Sequence, residues 1–170
     1  MANNKKLTIQ TSKRAAITIT RSAFKADRLV YIAIANKALK YRHGTSKIVY
    51  IGTTKAGASR IAGSAAARAS QLFELHGVTE LTFFIITCAA RQAVKTWHKL
   101  EVGLILTFRE LYGEPPKCNT KGKNQKWNDE RDYFTDDRLV KVIEKYSEYS
   151  TPSSSGTAQK RAKKKGAATL

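Results

Sequence analysis

The sequence predicts an α/β (α+β) fold in which a small three-stranded sheet, mixed or antiparallel, is flanked by helices. Short apolar runs rich in β-branched residues, at 29–35, 47–53 and 78–87, have the length of strands. Two longer stretches, 58–76 and 89–112, have the composition and apolar spacing of helices. A chain of 170 residues is long enough for one domain with its own hydrophobic core.

The first two core strands, 29–35 and 47–53, are predicted to form a hairpin with a long basic connection at residues 36–46. The alanine-rich helix that follows is expected to end at Gly77, because glycine readily takes the conformation that ends a helix. The strand at 78–87 has a continuous apolar centre without alternation, which is typical of a strand buried on both faces.

The longest predicted helix, 89–112, is expected to end at Gly113, where a basic loop rich in lysine begins. Beyond that loop, Thr135 is followed by two aspartates. Acidic residues favour the positive end of the helix dipole, so this pattern indicates a helix start. A final amphipathic helix is therefore predicted over residues 138–149.

The termini differ in composition from the core. Two segments with alternating apolar residues, 7–10 and 16–20, predict an N-terminal β-hairpin. The end of the chain is rich in serine, lysine and arginine, which predicts disorder. The predicted organisation is a hairpin extension at 1–27, a core at 28–128, a C-terminal helix at 129–150 and a disordered basic tail at 151–170.

The charge of the chain predicts a polyanionic partner. Lys and Arg number 31 against 13 Asp and Glu, a formal net charge of +18. Such an excess favours contact with nucleic acid, although a ribosome-associated protein would have a similar composition. The polar start and the short apolar runs predict an intracellular, cytoplasmic protein with no membrane partner. Glycine-rich phosphate loops of known spacing are absent from the sequence, so no nucleotide cofactor is expected.

Two tyrosines lie in the predicted hairpin strands. Tyr31 is in the first strand and Tyr50 in the second, where Ile51 and Gly52 follow it. Arg60 comes ten residues after Tyr50, near the start of the predicted helix. On their own, the tyrosines are ordinary packing residues and the arginine an ordinary solvated one. A guanidinium can, however, bind two phosphate oxygens at once, which suits phosphate chemistry.

Two further polar residues stand out downstream. Glu101 interrupts the apolar face of the long helix, and Asn119 lies in the polar loop after it. An unpaired carboxylate on such a face is costly, so Glu101 either binds a metal or lies at the helix edge beside Lys95 or Lys99. In this order the residues resemble the GIY-YIG nuclease family, over residues 29–121.

The resemblance implies a divalent-metal-dependent endodeoxyribonuclease, a hydrolase of restriction, mobile-element or phage type. The implied catalytic residues are Tyr31, Tyr50, Arg60 and Glu101, with Glu101 as the ligand of Mg²⁺ or Mn²⁺. One carboxylate suffices because Mg²⁺ keeps most of its waters and takes a substrate phosphate as a further ligand. Tyr31 would accept the proton of the attacking water, which requires nearby cations to lower its pKa from about 10.

The match to the family pattern departs in three respects, one of which is a linker between the two tyrosines that is longer than in many members. Leu29 stands where a glycine is usual, and Ser64 stands four residues after Arg60, where a histidine or tyrosine is usual. The weaker catalytic helpers are therefore Ser64 itself, Arg68 one turn further along the helix, His98 and Asn119, whose implied role is to anchor the active-site loop.

Double-stranded DNA is the expected partner, and a homodimer would suit a palindromic target. The expected nucleic-acid contacts are basic residues in loops: Lys37, Lys40, Arg42, Lys55, Lys117, Lys121, Lys123 and Lys126. Alternatively, these residues form a solvated surface and do not contact nucleic acid. The competing function is a non-catalytic nucleic-acid-binding protein that retains a GIY-YIG-like fold.

Overall fold

The computed structural model describes residues 28–120 and 122–149. The predicted N-terminal hairpin and basic tail lie outside these residues, as does Lys121. The elements in chain order are β1 (Leu29–Tyr41), β2 (Gly44–Thr54), α1 (Ala58–His76), β3 (Leu81–Ile86), α2 (Thr96–Tyr112), a 3₁₀ turn (Glu130–Asp132) and α3 (Asp136–Ser147). The three strands form one antiparallel sheet in the order β2-β1-β3, which confirms the predicted fold class.

The hairpin of β1 and β2 is longer than predicted. The expected loop at 36–46 is wrong, since both strands run on to a tight turn at Arg42 and His43. Leu39 and Tyr41 are buried with exposed Lys40 between them, the alternation of a strand with one face covered. Register shifts after Ala33 and before Leu39 interrupt the ladder of hydrogen bonds. The polar residues at these irregularities break the apolar alternation from which a strand is predicted.

Strand β1 is the centre of the molecule, because residues 29–35 are buried on both faces. One face packs against α2 and α3, where Ile32, Leu104 and Ile143 belong to the main core. Burying side chains of this size contributes about 1.5–3 kcal/mol each. On the opposite face, Tyr31 and Ile61 belong to a smaller cluster that attaches α1 to the sheet.

Strand β3 and the start of α2 differ from prediction. Strand β3 is shorter, and its six residues are only half-buried because it forms an edge of the sheet rather than its centre. Helix α2 begins at Thr96 instead of residue 89. Before it, Ala93 has a positive φ of 61° and Arg91 pairs with Val94, so the chain makes a turn there that helix geometry excludes. The ends of α1 and α2 at Gly77 and Gly113 are confirmed, as is a helix start after Thr135, although α3 spans Asp136–Ser147 rather than 138–149.

Both long helices begin at the same end of the sheet, which we call the base. There β1 starts while β2 and β3 end, since Leu29 pairs with Thr54 and Val30 with Ile86. Helix α2 ends at the opposite end, where the N–H of His43 in the hairpin turn donates to the carbonyl of Tyr112 at 3.0 Å. The positive ends of the α1 and α2 dipoles are therefore both at the base. None of the helices in the described ranges has the length and apolarity needed to cross a membrane.

Candidate active site at the base of the sheet

The two motif tyrosines lie side by side near the base. Tyr31 pairs with Gly52 and Ala33 pairs with Tyr50, so both phenols project from the sheet face that α1 covers. Their ring centroids are 5.8 Å apart. The antiparallel register, rather than proximity in sequence, brings the two phenols together.

Gly52 provides room for Tyr50. A β-carbon at this position would lie 2.6 Å from Cε1 of Tyr50 and 2.8 Å from its hydroxyl oxygen. Any side chain would therefore displace the ring. The ring of Tyr50 itself occupies the space above Gly52.

Helix α1 contacts both phenols through residues one turn apart. The hydroxyl of Tyr31 donates to Oγ of Ser64 at 2.9 Å. The guanidinium carbon of Arg68 lies 4.6 Å from the ring centroid of Tyr50, within cation–π range. Arg60 is exposed and lies one turn before Ser64 on the same stripe of the helix. Of the three, Ser64 and Arg68 contact the tyrosine pair directly.

The protonation of Tyr31 differs from expectation. Burial raises the pKa of Tyr31 to about 12, while the hydrogen bond from its hydroxyl to Ser64 acts in the opposite direction. Tyr50 and the negative charge of Glu101 raise it further. The expectation that cations lower this pKa is thus wrong for the protein without metal or DNA, and Tyr31 is a neutral hydrogen-bond donor at physiological pH.

Glu101 lies on the second turn of α2, close enough to influence Tyr31 electrostatically. Its side chain is 17 % exposed, and Oε2 lies 3.0 Å from Nδ1 of His98. The pairing of Glu101 with Lys99 that sequence allowed is not formed, because Lys99 contacts Asp129 instead. His98 is thus a direct neighbour of the predicted metal ligand.

The donor set at Glu101 suits a hard cation that keeps its waters. In residues 28–120 and 122–149, no group of three or more His, Cys, Asp or Glu side chains comes together. A mostly protein-enclosed transition-metal site is therefore not formed in this part of the chain. A single, partly exposed carboxylate is compatible with Mg²⁺ or Mn²⁺, because either ion needs only one or two protein carboxylates when a phosphate is also present.

Asn119 anchors the strand that bears Tyr50. Its amide oxygen accepts from the N–H of Ile51 at 2.9 Å, and its amide nitrogen donates to the carbonyl of Ile51 at 2.7 Å. The side chain is buried, so both bonds are shielded from water. Asn119 fixes the residue next to Tyr50 and thereby attaches the polar loop to the sheet.

The basic residues predicted to contact DNA are spread over the surface. Lys40, Lys55, Lys123 and Lys126 are exposed. Lys37, Arg42 and Lys117 instead contact other groups of the protein.

Lys117 forms an ion pair with Glu114 at 2.6 Å, and Arg42 contributes its backbone N–H to the same carboxylate. Both interactions lower the pKa of Glu114, with the Lys117 bond the larger effect. The ammonium of Lys37 lies beside Gly77, 3.6 Å from where a β-carbon would be, at the negative end of the α1 dipole.

Two arginines at the base were missed by sequence reasoning. The guanidinium of Arg28 lies 5.1 Å from the ring centroid of Trp97, and that of Arg91 lies 5.5 Å from the centroid of Tyr133. Each pair joins residues far apart in the chain. Pattern and spacing give no signal for such contacts, since only the fold brings the partners together.

Charge is unevenly distributed over the described part of the chain. Residues 28–100 contain 11 Lys and Arg but 2 Asp and Glu, whereas residues 129–149 contain 4 and 7. Neither α1 nor α2 has an acidic residue in its first turn, while α3 has Asp136 and Asp137 there. Acidic residues are therefore concentrated in the segment around α3, whereas the basic residues of 28–100 are distributed over both ends of the sheet.

Comparisons with known proteins give no assignment. The chain matches no family model, no curated protein and no solved structure. Its function is therefore inferred from the side chains and their geometry.

Proposed function

We propose that the protein is a divalent-metal-dependent endonuclease that hydrolyses phosphodiester bonds in double-stranded DNA. The observation that supports the proposal most is the contact of Tyr31 with both Tyr50 and Ser64, at a phenol on which the charge of Glu101 also acts. The guanidinium of Arg68 lies over the ring of Tyr50, so its positive charge attracts an approaching phosphate to this cluster.

Phosphate binding in this proposal depends on α1. Arg60 lies on the exposed part of the stripe that also bears Ser64 and Arg68, one turn closer to the base. Its guanidinium can bind two phosphate oxygens and balance the charge that develops in the transition state. The positive ends of α1 and α2 add a favourable field at the same place.

Tyr31 is assigned a role as a neutral phenol. Its oxygen accepts a proton from the attacking water while its own proton passes to Oγ of Ser64, 2.9 Å away. The hydroxyl of Ser64, which is half-buried, then releases a proton to solvent. Because the phenol never has to be ionised, a pKa of about 12 does not prevent this transfer.

Glu101 is the residue that would hold Mg²⁺ or Mn²⁺, and His98 orients its carboxylate through the 3.0 Å contact. A bound divalent ion would supply charge neutralisation at the phosphoryl oxygens and a more acidic water. Tyr50, held by Arg68 and Gly52, orients the water or phosphate next to Tyr31.

Cleavage of supercoiled plasmid tests the proposal. The wild type is expected to nick or linearise the plasmid with Mg²⁺ or Mn²⁺ and to be inactive in chelator. Glu101→Gln keeps the size of the side chain and should abolish cleavage while duplex binding in chelator persists; Arg60→Ala should reduce cleavage strongly. Glu74→Gln, an exposed carboxylate on α1, is the matched control. Wild-type protein that binds DNA but never cleaves it would contradict the proposal.

The second candidate is a non-catalytic nucleic-acid-binding protein with the same fold. The raised pKa of Tyr31 and the serine at position 64 favour it, since both weaken the usual acid–base chemistry. Salt-sensitive binding without nicking, unchanged by Glu101→Gln, is its expected result.

A further inference from the structure

We propose that Arg28 and Arg91 form a DNA-backbone-binding surface at the base, which we call the base arginine surface, and that it holds the duplex beside the catalytic cluster. This inference rests on the proposed function, because it extends the substrate contacts of that site. The surface differs from the hairpin and loop lysines that the sequence suggested.

The fold places both arginines next to the candidate active site. Arg28 immediately precedes Leu29, whose partner Thr54 ends β2, so it lies beside the segment leading into α1. Arg91 lies between β3 and α2, in the turn where the N–H of Val94 donates to its carbonyl at 3.3 Å. Both are therefore at the end of the sheet where α1 and α2 begin.

Trp97 connects this surface to Glu101. The guanidinium of Arg28 lies over the ring of Trp97, and Trp97 is four residues before Glu101 on α2. Residues four apart lie on the same face of a helix, one turn from each other. A phosphate bound by Arg28 would thus be a near neighbour of one bound at Glu101 along the same backbone.

The contacts of these arginines leave their charge available. In the described residues, Arg131 pairs with Glu110 and Asp136, and Arg109 donates to the carbonyl oxygens of Gly122 and Lys123. Arg28 and Arg91 instead lie over aromatic rings, and both side chains are exposed. An aromatic ring orients the planar guanidinium without neutralising it, so its N–H groups can still bind a phosphate.

The chemistry selects the backbone of a nucleic acid as partner. Phosphate contacts of arginine are bidentate and independent of base sequence. Two oriented arginines next to a metal-dependent site suit a duplex that extends past the cleaved bond. We assign the partner as DNA because the proposed reaction acts on DNA.

Binding of a fluorescent DNA duplex in chelator, followed by anisotropy between about 50 and 200 mM salt, tests the surface. Arg28→Ala and Arg91→Ala should each weaken binding and lower the slope of log affinity against log salt by about 1, and the double variant by about 2. The matched control is the double variant Arg138→Ala/Lys141→Ala on α3, whose exposed side chains lie in the acidic region. It should leave the salt slope unchanged.

The outcomes separate the two proposals. Equal loss in the α3 control, or unchanged binding by the Arg28 and Arg91 variants with wild-type melting curves, would overturn the base arginine surface. Tighter binding of an RNA duplex of the same sequence, with the same dependence on both arginines, would overturn the choice of DNA. If DNA binding depends on both arginines but the wild type never nicks plasmid, the nuclease proposal is refuted and the base arginine surface is not.

Discussion

The ring of Tyr50 lies directly over Gly52, two residues further along the same strand. The space that a β-carbon would need is filled by the phenol, with 2.6 Å to its Cε1 and 2.9 Å to its Cζ. Arg68 covers Tyr50 from α1, and Tyr31 borders it from β1. A residue without a side chain therefore determines where the ring of Tyr50 can lie.

Gly52→Ala should abolish cleavage while it lowers the free energy of unfolding only in part. The added methyl forces Tyr50 away from Tyr31, and overpacking of this kind costs about 1–3 kcal/mol. Urea denaturation and plasmid cleavage measure the two effects. Gly63→Ala on α1 is the control, because a β-carbon there meets nothing within 4 Å. It should stabilise the protein by about 0.5–1 kcal/mol and leave cleavage intact. Full activity of Gly52→Ala would contradict the assigned position of Tyr50.

Asn119→Ala should destabilise the protein by about 2–4 kcal/mol. It deprives the N–H and C=O of Ile51 of their buried partners, and each such group costs about 1–3 kcal/mol when left unsatisfied. Urea denaturation gives the energy, and hydrogen exchange should show the Ile51 amide less protected. Asn124→Ala, an exposed asparagine of the same loop, should change neither quantity. Similar small effects for both variants would show that the two bonds are unimportant.

Tyr31 should make the protein less stable in alkali. Its pKa is about 12 in the folded protein and about 10 when unfolded, so folding favours the neutral phenol. That stabilisation is complete below pH 10 and is lost as the pH rises from 10 to 12. Tyr31→Phe should show a smaller fall in the free energy of unfolding over this window. Since Tyr41 and the lysines titrate in both proteins, the difference between the two curves isolates Tyr31. If the free energy of unfolding falls equally with pH in the wild type and in Tyr31→Phe, the raised pKa of Tyr31 is excluded.

Ser64→Ala should slow cleavage about 10²-fold, since it removes the acceptor of the Tyr31 proton and acid–base assistance contributes about 10²–10⁴-fold. Single-turnover cleavage and anisotropy separate the rate from DNA affinity, which should not change. Ser64→Thr retains the hydroxyl and should retain most of the rate. If the alanine and threonine variants cleave at the same rate, whether both are slow or both are fast, Ser64 does not accept the proton of Tyr31.

Much of the local structure was predictable because its causes are local. Helix α1 has its predicted limits, since an alanine-rich segment followed by Gly77 contains its own start and stop signals. Strand β1 was predicted too short because polar residues around its register shifts break the alternation. Helix α2 was predicted too long because only the backbone shows that Ala93 has a positive φ.

Only part of the candidate site was predictable, because only some of its contacts have local causes. Helical spacing predicts that Ser64 and Arg68 share one face of α1, and both contact the tyrosine pair, whereas the register that brings Tyr31 and Tyr50 together came only from the structure. The protonation of Tyr31 depends on burial, which no sequence pattern reveals. The aromatic partners of Arg28 and Arg91 come from other elements, so they could be found only in three dimensions.

Helices α1 and α2 both begin at the base without an acidic residue in their first turns, so the positive ends of two helix dipoles add there. If the proposed function holds, the field of an approaching duplex acts on these dipoles and favours orientations in which the base faces the DNA before contact forms. Encounters then become productive more often than random tumbling allows, and association should slow steeply as ions shorten the range of the field.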